Sequence, residues 1–182
     1  MIQNYNGYRI LELFLHNSTE LFRLREISRK LNLGLPSVIR YVKQLEGEQL
    51  IIKKKIHSNF FYLANRENQR YKVYKITDSL MQLEKSGLIA YLEQQLNYPT
   101  IVLFGSHAIG EDTEKSDYDI ALFTETKKGL DLDLQRFEQQ FGAPIQLFVY
   151  DKKGVNQLKK KNKELLNSII NGIIVRGMVK VF

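Results

Sequence analysis

The stretch TIVLFGSHAIGEDTEKSDYDIALFTE, residues 100–125, decides the reading of this chain. It contains two apolar runs of strand length, 100–105 and 118–124, rich in β-branched and aromatic residues. Pro99 stands just ahead of the first, a position that suits the start of a strand. The first run ends on Gly105-Ser106 and the second opens on Asp117 and Asp119. Residues two apart on a strand share a face, so the two carboxylates stand side by side while Tyr118 and Ile120 face the other way. Two like charges so placed are unfavourable unless a cation sits between them, and a hard divalent cation with oxygen ligands is the natural candidate. Ser106 opens a short helix, SHAIG, whose backbone N–H groups and hydroxyl can face an anion, and Gly105 permits close backbone approach. A phosphate cradle beside a carboxylate-held metal is what phosphoryl or nucleotidyl transfer requires. The competing reading is a pair of aspartates at an exposed strand end that hold no metal.

Downstream, the pattern predicts a helix around 130–141, a strand over 145–150, helices within 153–171 and a last strand in GIIVRG. The basic run LKKKNKELL, 158–166, reads first as a solvated helix face. Upstream, Glu67 to Leu96 is helical, with Val73, Ile76, Leu80 and Leu83 on one stripe and Tyr74, Met81 and Leu88 repeating every seven residues beside it. This reads as a pair of connecting helices around Gly87, or alternatively as a dimer seam. The domain boundary falls near Pro99.

The chain has 182 residues and 43% hydrophobic content, ordinary for a soluble protein with a core. It contains no cysteine, which excludes disulfides, thiolate metal sites and thiol nucleophiles, and its three histidines are dispersed. No apolar run reaches membrane-spanning length and MIQNYNGYRI does not read as a leader, so no membrane contact and a cytoplasmic location are expected. The net charge of +7 is unevenly spread: residues 1–65 hold 10 Lys+Arg against 5 Asp+Glu, whereas residues 100–182 hold 12 against 11. A charge concentrated in one region implies a surface for an anionic partner.

In that basic region, Tyr8, Leu11, Phe14 and Leu15 fall at helical spacing, a short apolar LFRL follows, and Gly34 and Pro36 split REISRKLNLGLPSVIRYVKQLEGEQLI into two helices. Ile27, Leu31, Val38, Val42 and Leu45 make their packed face, leaving Ser37, Arg40, Lys43 and Gln44 outward on the second. LIIKKKIHSNFFYLAN then reads as a hairpin. The order helix, short strand, helix, turn, helix, hairpin resembles a winged helix-turn-helix DNA-binding domain over residues 1–66. That resemblance implies a recognition helix beginning near Pro36, with Ser37, Arg40 and Lys43 on bases and backbone and Lys54 and Lys55 on the wing. Double-stranded DNA is the implied partner, and a homodimer reading two half-sites a common arrangement. A solvated helix face, or a winged helix serving protein contacts, are the alternatives.

The motif FGSHAIGEDTEKSDYDIALF resembles the DNA polymerase beta-like nucleotidyltransferase superfamily, and most closely its minimal branch, from Thr100 to the C-terminus. The fold class that follows is α/β (α+β): the winged helix over 1–66, a helical connector over 67–98, and over 99–182 a nucleotidyltransferase-like small mixed sheet with flanking helices, expected on one side. The resemblance implies a nucleoside triphosphate, with ATP the expected nucleotide, bound by Gly105, Ser106 and His107, and Mg²⁺ held by Asp117 and Asp119 as the catalytic pair. Two positions depart from the family pattern. Arginines common after the Gly-Ser pair are His107 and Ile109 here, with His107 left as a hydrogen-bond donor. The third-strand carboxylate of active members is Gln146, which cannot serve as a base; Asp151, five residues on with opposite side-chain parity, is the nearest carboxylate. Three functions follow. One is an Mg²⁺-dependent enzyme moving a nucleoside monophosphate to a hydroxyl, by family analogy on a partner protein. The second is a transcriptional regulator that senses nucleotide without turnover. The third is an assembly scaffold, which leaves the paired carboxylates unexplained.

Overall fold

A computed structural model describes residues 5–125 and 132–178. The first four residues of the N-terminal stretch, the beginning of the helix expected around 130, and residues 179–182 lie outside it. The chain forms two compact units, Met1–Lys75 and Ile76–Phe182.

The first unit contains α1 (Asn6–His16), α2 (Leu24–Leu31), α3 (Leu35–Gly47) and an antiparallel hairpin of β1 (Ile51–Ile56) and β2 (Asn59–Ala64). The N-terminus of α2 is closed by Glu26, whose carboxylate accepts from the Arg23 backbone N–H, satisfying one donor that a helix start leaves unpaired. Asn32, at φ 50°, ends α2 in the left-handed region, and Gly34 and Pro36 then start α3. The apolar LFRL contributes a single bridge: Phe22 exchanges two backbone hydrogen bonds with Tyr62, at 2.9 and 2.8 Å. Phe14, Phe22, Ile27, Val38, Val42, Leu45 and Ile51 are buried together, and Leu31 packs partly buried against them.

The helix α4 (Gln69–Ser86) begins in the first unit and ends in the second. The segment expected as a helical connector over 67–98 holds α4 and, after it, the helix Leu88–Leu96. The expected stripe is buried only toward its C-terminal end: Leu83 is fully buried and Leu80 packs beside it, whereas Val73 is 60% exposed and Tyr71, Lys75, Asp78 and Ser79 are buried instead. Polar groups can face inward because partners meet them. Tyr71 Oη donates to Phe14 O and Lys75 Nζ to Leu15 O, both at 2.8 Å, occupying carbonyls that the end of α1 cannot satisfy itself.

The second unit adds α5 (Leu88–Leu96), β3 (Thr100–Phe104), α6 (Ser106–Ile109), β4 (Tyr118–Phe123), α7 (Gln135–Phe141), β5 (Ile145–Tyr150), α8 (Lys152–Lys161), α9 (Lys163–Ile170) and β6 (Ile173–Arg176). The sheet order is β5-β4-β3-β6, with β4–β5 parallel and the other pairs antiparallel. Helices cover both faces of this sheet, not one. Ile101, Leu103, Ile120 and Leu122 pack with Leu88, Leu92 and Phe137 on one side. Val102, Phe104 and Ala121 pack with Leu158 of α8 and Ile169 of α9 on the other. The reason lies in the apolar runs themselves: a strand hydrophobic at consecutive positions exposes apolar surface on both faces, and each must be covered.

Candidate functional site

The strand ladders bring the motif residues to one end of the sheet. Phe104, the last residue of β3, lies opposite Asp119 in the antiparallel pair, and Asp119 lies opposite Gln146 in the parallel one. Gly105 leaves β3 at φ +69°, ψ −153°, a conformation essentially confined to glycine. A Cβ added there would run into the Asp119 carboxylate. The missing side chain is thus what allows the Asp119 oxygens to lie against the turn that carries Ser106, the first residue of α6. Asp117, Ser106 and Asp119 are all half-buried.

Gln146 points at the carboxylate pair: its Nε2 donates a hydrogen bond to Asp117 Oδ2. A neutral amide therefore stands beside the two carboxylates, opposite Asp119 in the ladder. Asp151 does not compensate. It caps α8, accepting from Gly154 N at 2.6 Å, and the length of β5, about 16 Å at ~3.3 Å per residue, separates it from Gln146.

The carboxyl of Asp119 is held above its ordinary range, first by burial and second by the negative charge of Asp117. Burial penalises the charged form of the carboxyl, and the neighbouring negative charge adds to that penalty. Oxygen donors of this charge suit a hard divalent cation, and the cradle at Gly105 brings one of them beside the Gly-Ser turn. On these grounds Asp117 and Asp119 fit Mg²⁺.

Behind the site, the residues that alternate with these groups enter the core. Tyr118 is buried and its phenol is pushed up by burial and by Asp112 and Asp78, so it stays a neutral donor. His107, expected on the nucleotide, is 5% exposed. Its ring stacks on Tyr118 at 3.8 Å between centroids, and its Nδ1 lies 2.9 Å from Ser79 Oγ and 3.6 Å from Asp112 Oδ2. Its imidazole is thus turned inward, because stacking and buried hydrogen-bond partners hold it there. Ile109 is 51% exposed and brings no charge to the position where the family commonly has arginine.

Sequence reasoning missed the groups behind the site: Asp78, Ser79 and Gln82 on α4, and Asp112. Ser79 and Gln82 sit beside the apolar stripe that ends at the buried Leu83, and it was the stripe that drew attention. Nothing local marks them, since their partners lie about 30 residues away in sequence.

In the first unit, Arg40 and Lys43 are exposed on α3, Ser37 is half-buried on the same helix, and Lys54 and Lys55 are exposed on β1. Arg40 is braced by Tyr41, with Nη2 donating to the phenol oxygen at 2.8 Å and the guanidinium 4.6 Å from the ring centre. On the hairpin, Lys53 lies 4.0 Å over Phe60 and Arg23 lies 4.8 Å over Phe61. Arg25, Ser28, Arg29 and Leu35 line a groove at α2 and the start of α3. The first unit holds 14 Lys+Arg against 6 Asp+Glu.

The family described as polymerase beta, nucleotidyltransferase matches residues 86–176. The IclR helix-turn-helix domain matches residues 6–53. No curated protein matches the chain. Among solved structures it is similar to HmgR of Pseudomonas aeruginosa, at 18% identity over 58% of this chain and 43% of that one, with a TM-score of 0.36. It is also similar to IclR of Thermotoga maritima, at 16% identity over 56% of this chain and 40% of that one, with a TM-score of 0.32. The chain spans less than half the length of either. Among the described residues, no helix is long and apolar enough to cross a membrane.

Proposed function

The chain belongs to the polymerase beta nucleotidyltransferase family, and from that premise we propose that it is a DNA-binding regulator whose second unit takes up a magnesium-bound nucleoside triphosphate, ATP first among candidates, without efficient turnover. The helix-turn-helix domain contributes the contact with double-stranded DNA, with Arg40 and Lys43 toward the groove and Lys54 and Lys55 toward phosphates. Such a protein works in the cytoplasm, and a homodimer suits two half-sites.

In the second unit, Asp117 and Asp119 would hold the metal, and Ser106 would meet the phosphates from the turn that Gly105 makes possible. The metal, when bound, neutralises phosphate oxygens and lowers the pKa of a hydroxyl beside it. The observation that carries the sensing reading is the Gln146 side chain, hydrogen-bonded to Asp117 where a third carboxylate belongs. A primary amide takes up no proton at neutral pH, and loss of a general base alone costs about 10²- to 10⁴-fold in rate.

A second reading, transfer of a nucleoside monophosphate to a hydroxyl acceptor on a partner protein, is favoured by the intact carboxylate pair. It requires an acidic group from that partner to do what Gln146 cannot. One experiment separates the two. The full chain is incubated with labelled ATP and Mg²⁺, with and without candidate partners, beside the Asp117→Ala, Asp119→Ala variant. Metal-dependent binding without label transfer is the expected result. Transfer that disappears in the variant establishes the enzyme instead, and no binding by the wild type removes the site.

A further inference from the structure

The residues that interleave with the site are gripped from behind by one helix. Tyr118, between Asp117 and Asp119, donates its hydroxyl to Gln82 Oε1 at 3.0 Å, and Gln82 Nε2 donates in turn to Asp78 Oδ2 at 2.7 Å. His107, directly after Ser106, is hydrogen-bonded with Ser79 at 2.9 Å. The two gripped rings lie against each other, 3.8 Å apart and 18° from parallel, so they behave as one plate.

We propose that Ser79 and Gln82 are positioning residues of the metal and phosphate site, acting through the stacked rings of His107 and Tyr118. This rests on the reading of Asp117, Asp119 and Ser106 given above. Because side chains alternate along a strand, the angle at which Tyr118 is held sets the direction of the carboxylates on either side of it. Likewise the seat of His107 sets the first turn of α6, and with it the Ser106 hydroxyl. Groups that hydrogen-bond metal ligands directly typically account for about 10- to 100-fold in metal affinity, and Ser79 and Gln82, one residue further back, are expected at the lower end of that range.

The test uses the full chain and two probes: Mn²⁺ alone, followed by electron paramagnetic resonance, and Mg²⁺ with ATP, followed by calorimetry. Thermal unfolding without ions serves as the control. Ser79→Ala combined with Gln82→Met is expected to weaken Mn²⁺ binding about 10-fold at a temperature where the variant is fully folded. Tyr118→Phe keeps the stacked ring, loses only the hydroxyl, and is expected to lose less. Ser79→Thr keeps the hydroxyl and is expected to bind as the wild type does. A purely structural role would instead lower the unfolding midpoint while the folded variants bound Mn²⁺ with wild-type affinity, and that result would overturn the proposal. It would leave the carboxylate site standing, since Asp117→Asn would still abolish binding. If the wild type takes up neither probe, the site itself is wrong and the positioning role falls with it.

Discussion

The two units use charge in opposite ways. Met1–Lys75 carries 14 Lys+Arg against 6 Asp+Glu, whereas Ile76–Phe182 carries 13 against 14. In the first, most of the excess lies at exposed positions, among them Arg25, Arg29 and Lys30 of α2, Arg40 and Lys43 of α3 and Lys54 and Lys55 of β1, while Lys75 is buried with its ammonium on Leu15 O. Such an excess attracts polyanions over a distance and without regard to sequence, and its effect is screened by salt. In the second, the balance is nearly even, and what matters is local: the Asp119 carboxylate lies against Gly105, and its pKa is raised by burial and by the charge of Asp117. The contrast teaches that net charge locates a nucleic-acid surface, but says nothing about a metal site, where the arrangement of a few like charges carries the information.

The comparison is broken most sharply at Gln146. If the missing carboxylate is what silences the second unit, Gln146→Glu raises label transfer from ATP by about 10²-fold or more, measured with Mg²⁺ and a supplied acceptor, while duplex affinity stays unchanged. Next in size is Gly105→Ala. The substitution places a side chain at φ +69° and against the Asp119 carboxylate, so unfolding of the second unit shifts by about 2 kcal/mol and Mg²⁺-dependent nucleotide binding is lost. Chemical denaturation followed with probes in each unit reads the first effect and calorimetry the second.

A smaller effect tests the other side of the comparison. Lys54→Ala with Lys55→Ala weakens duplex binding alike for all sequences and lowers the slope of log affinity against log salt by roughly 2, about one per phosphate contact. A mobility-shift titration at several salt concentrations checks it, with nucleotide binding as the unaffected control.

The smallest effect is a pH dependence. A carboxyl whose folded-state pKa is raised binds its proton more tightly folded than unfolded. Ion-free protein therefore gains stability as pH falls through the raised value of Asp119 toward its unfolded value near ~4, and loses that gain as pH rises. Asp119→Asn removes this contribution and relieves the repulsion with Asp117, so thermal unfolding in chelator is flatter over the same window and the midpoint at neutral pH is slightly higher.

Most of the framework is legible in the sequence because it depends on local chemistry. The strands expected at 100–105, 118–124 and 145–150 form at Thr100–Phe104, Tyr118–Phe123 and Ile145–Tyr150, since apolar runs of that length bounded by Gly, Pro or Asp have few other uses. Gly34 and Pro36 mark the turn into α3 for the same reason. The polar face of α4 was not legible. Lys75 and Ser79 are buried only because Leu15 O and His107 wait for them, and no periodicity announces a partner so far along the chain.

The sequence by itself determined the order of the elements, the basic first unit, and the placing of Asp117 and Asp119 at the start of β4, because these follow from composition and local pattern. Only the tertiary structure decided that Gln146 bonds to Asp117, that Asp151 is occupied as a helix cap, that His107 turns inward, and that the sheet is covered on both faces. Each of these depends on which strands become neighbours and which buried groups find hydrogen-bond partners, and the folded chain settles that across distances a local pattern does not span.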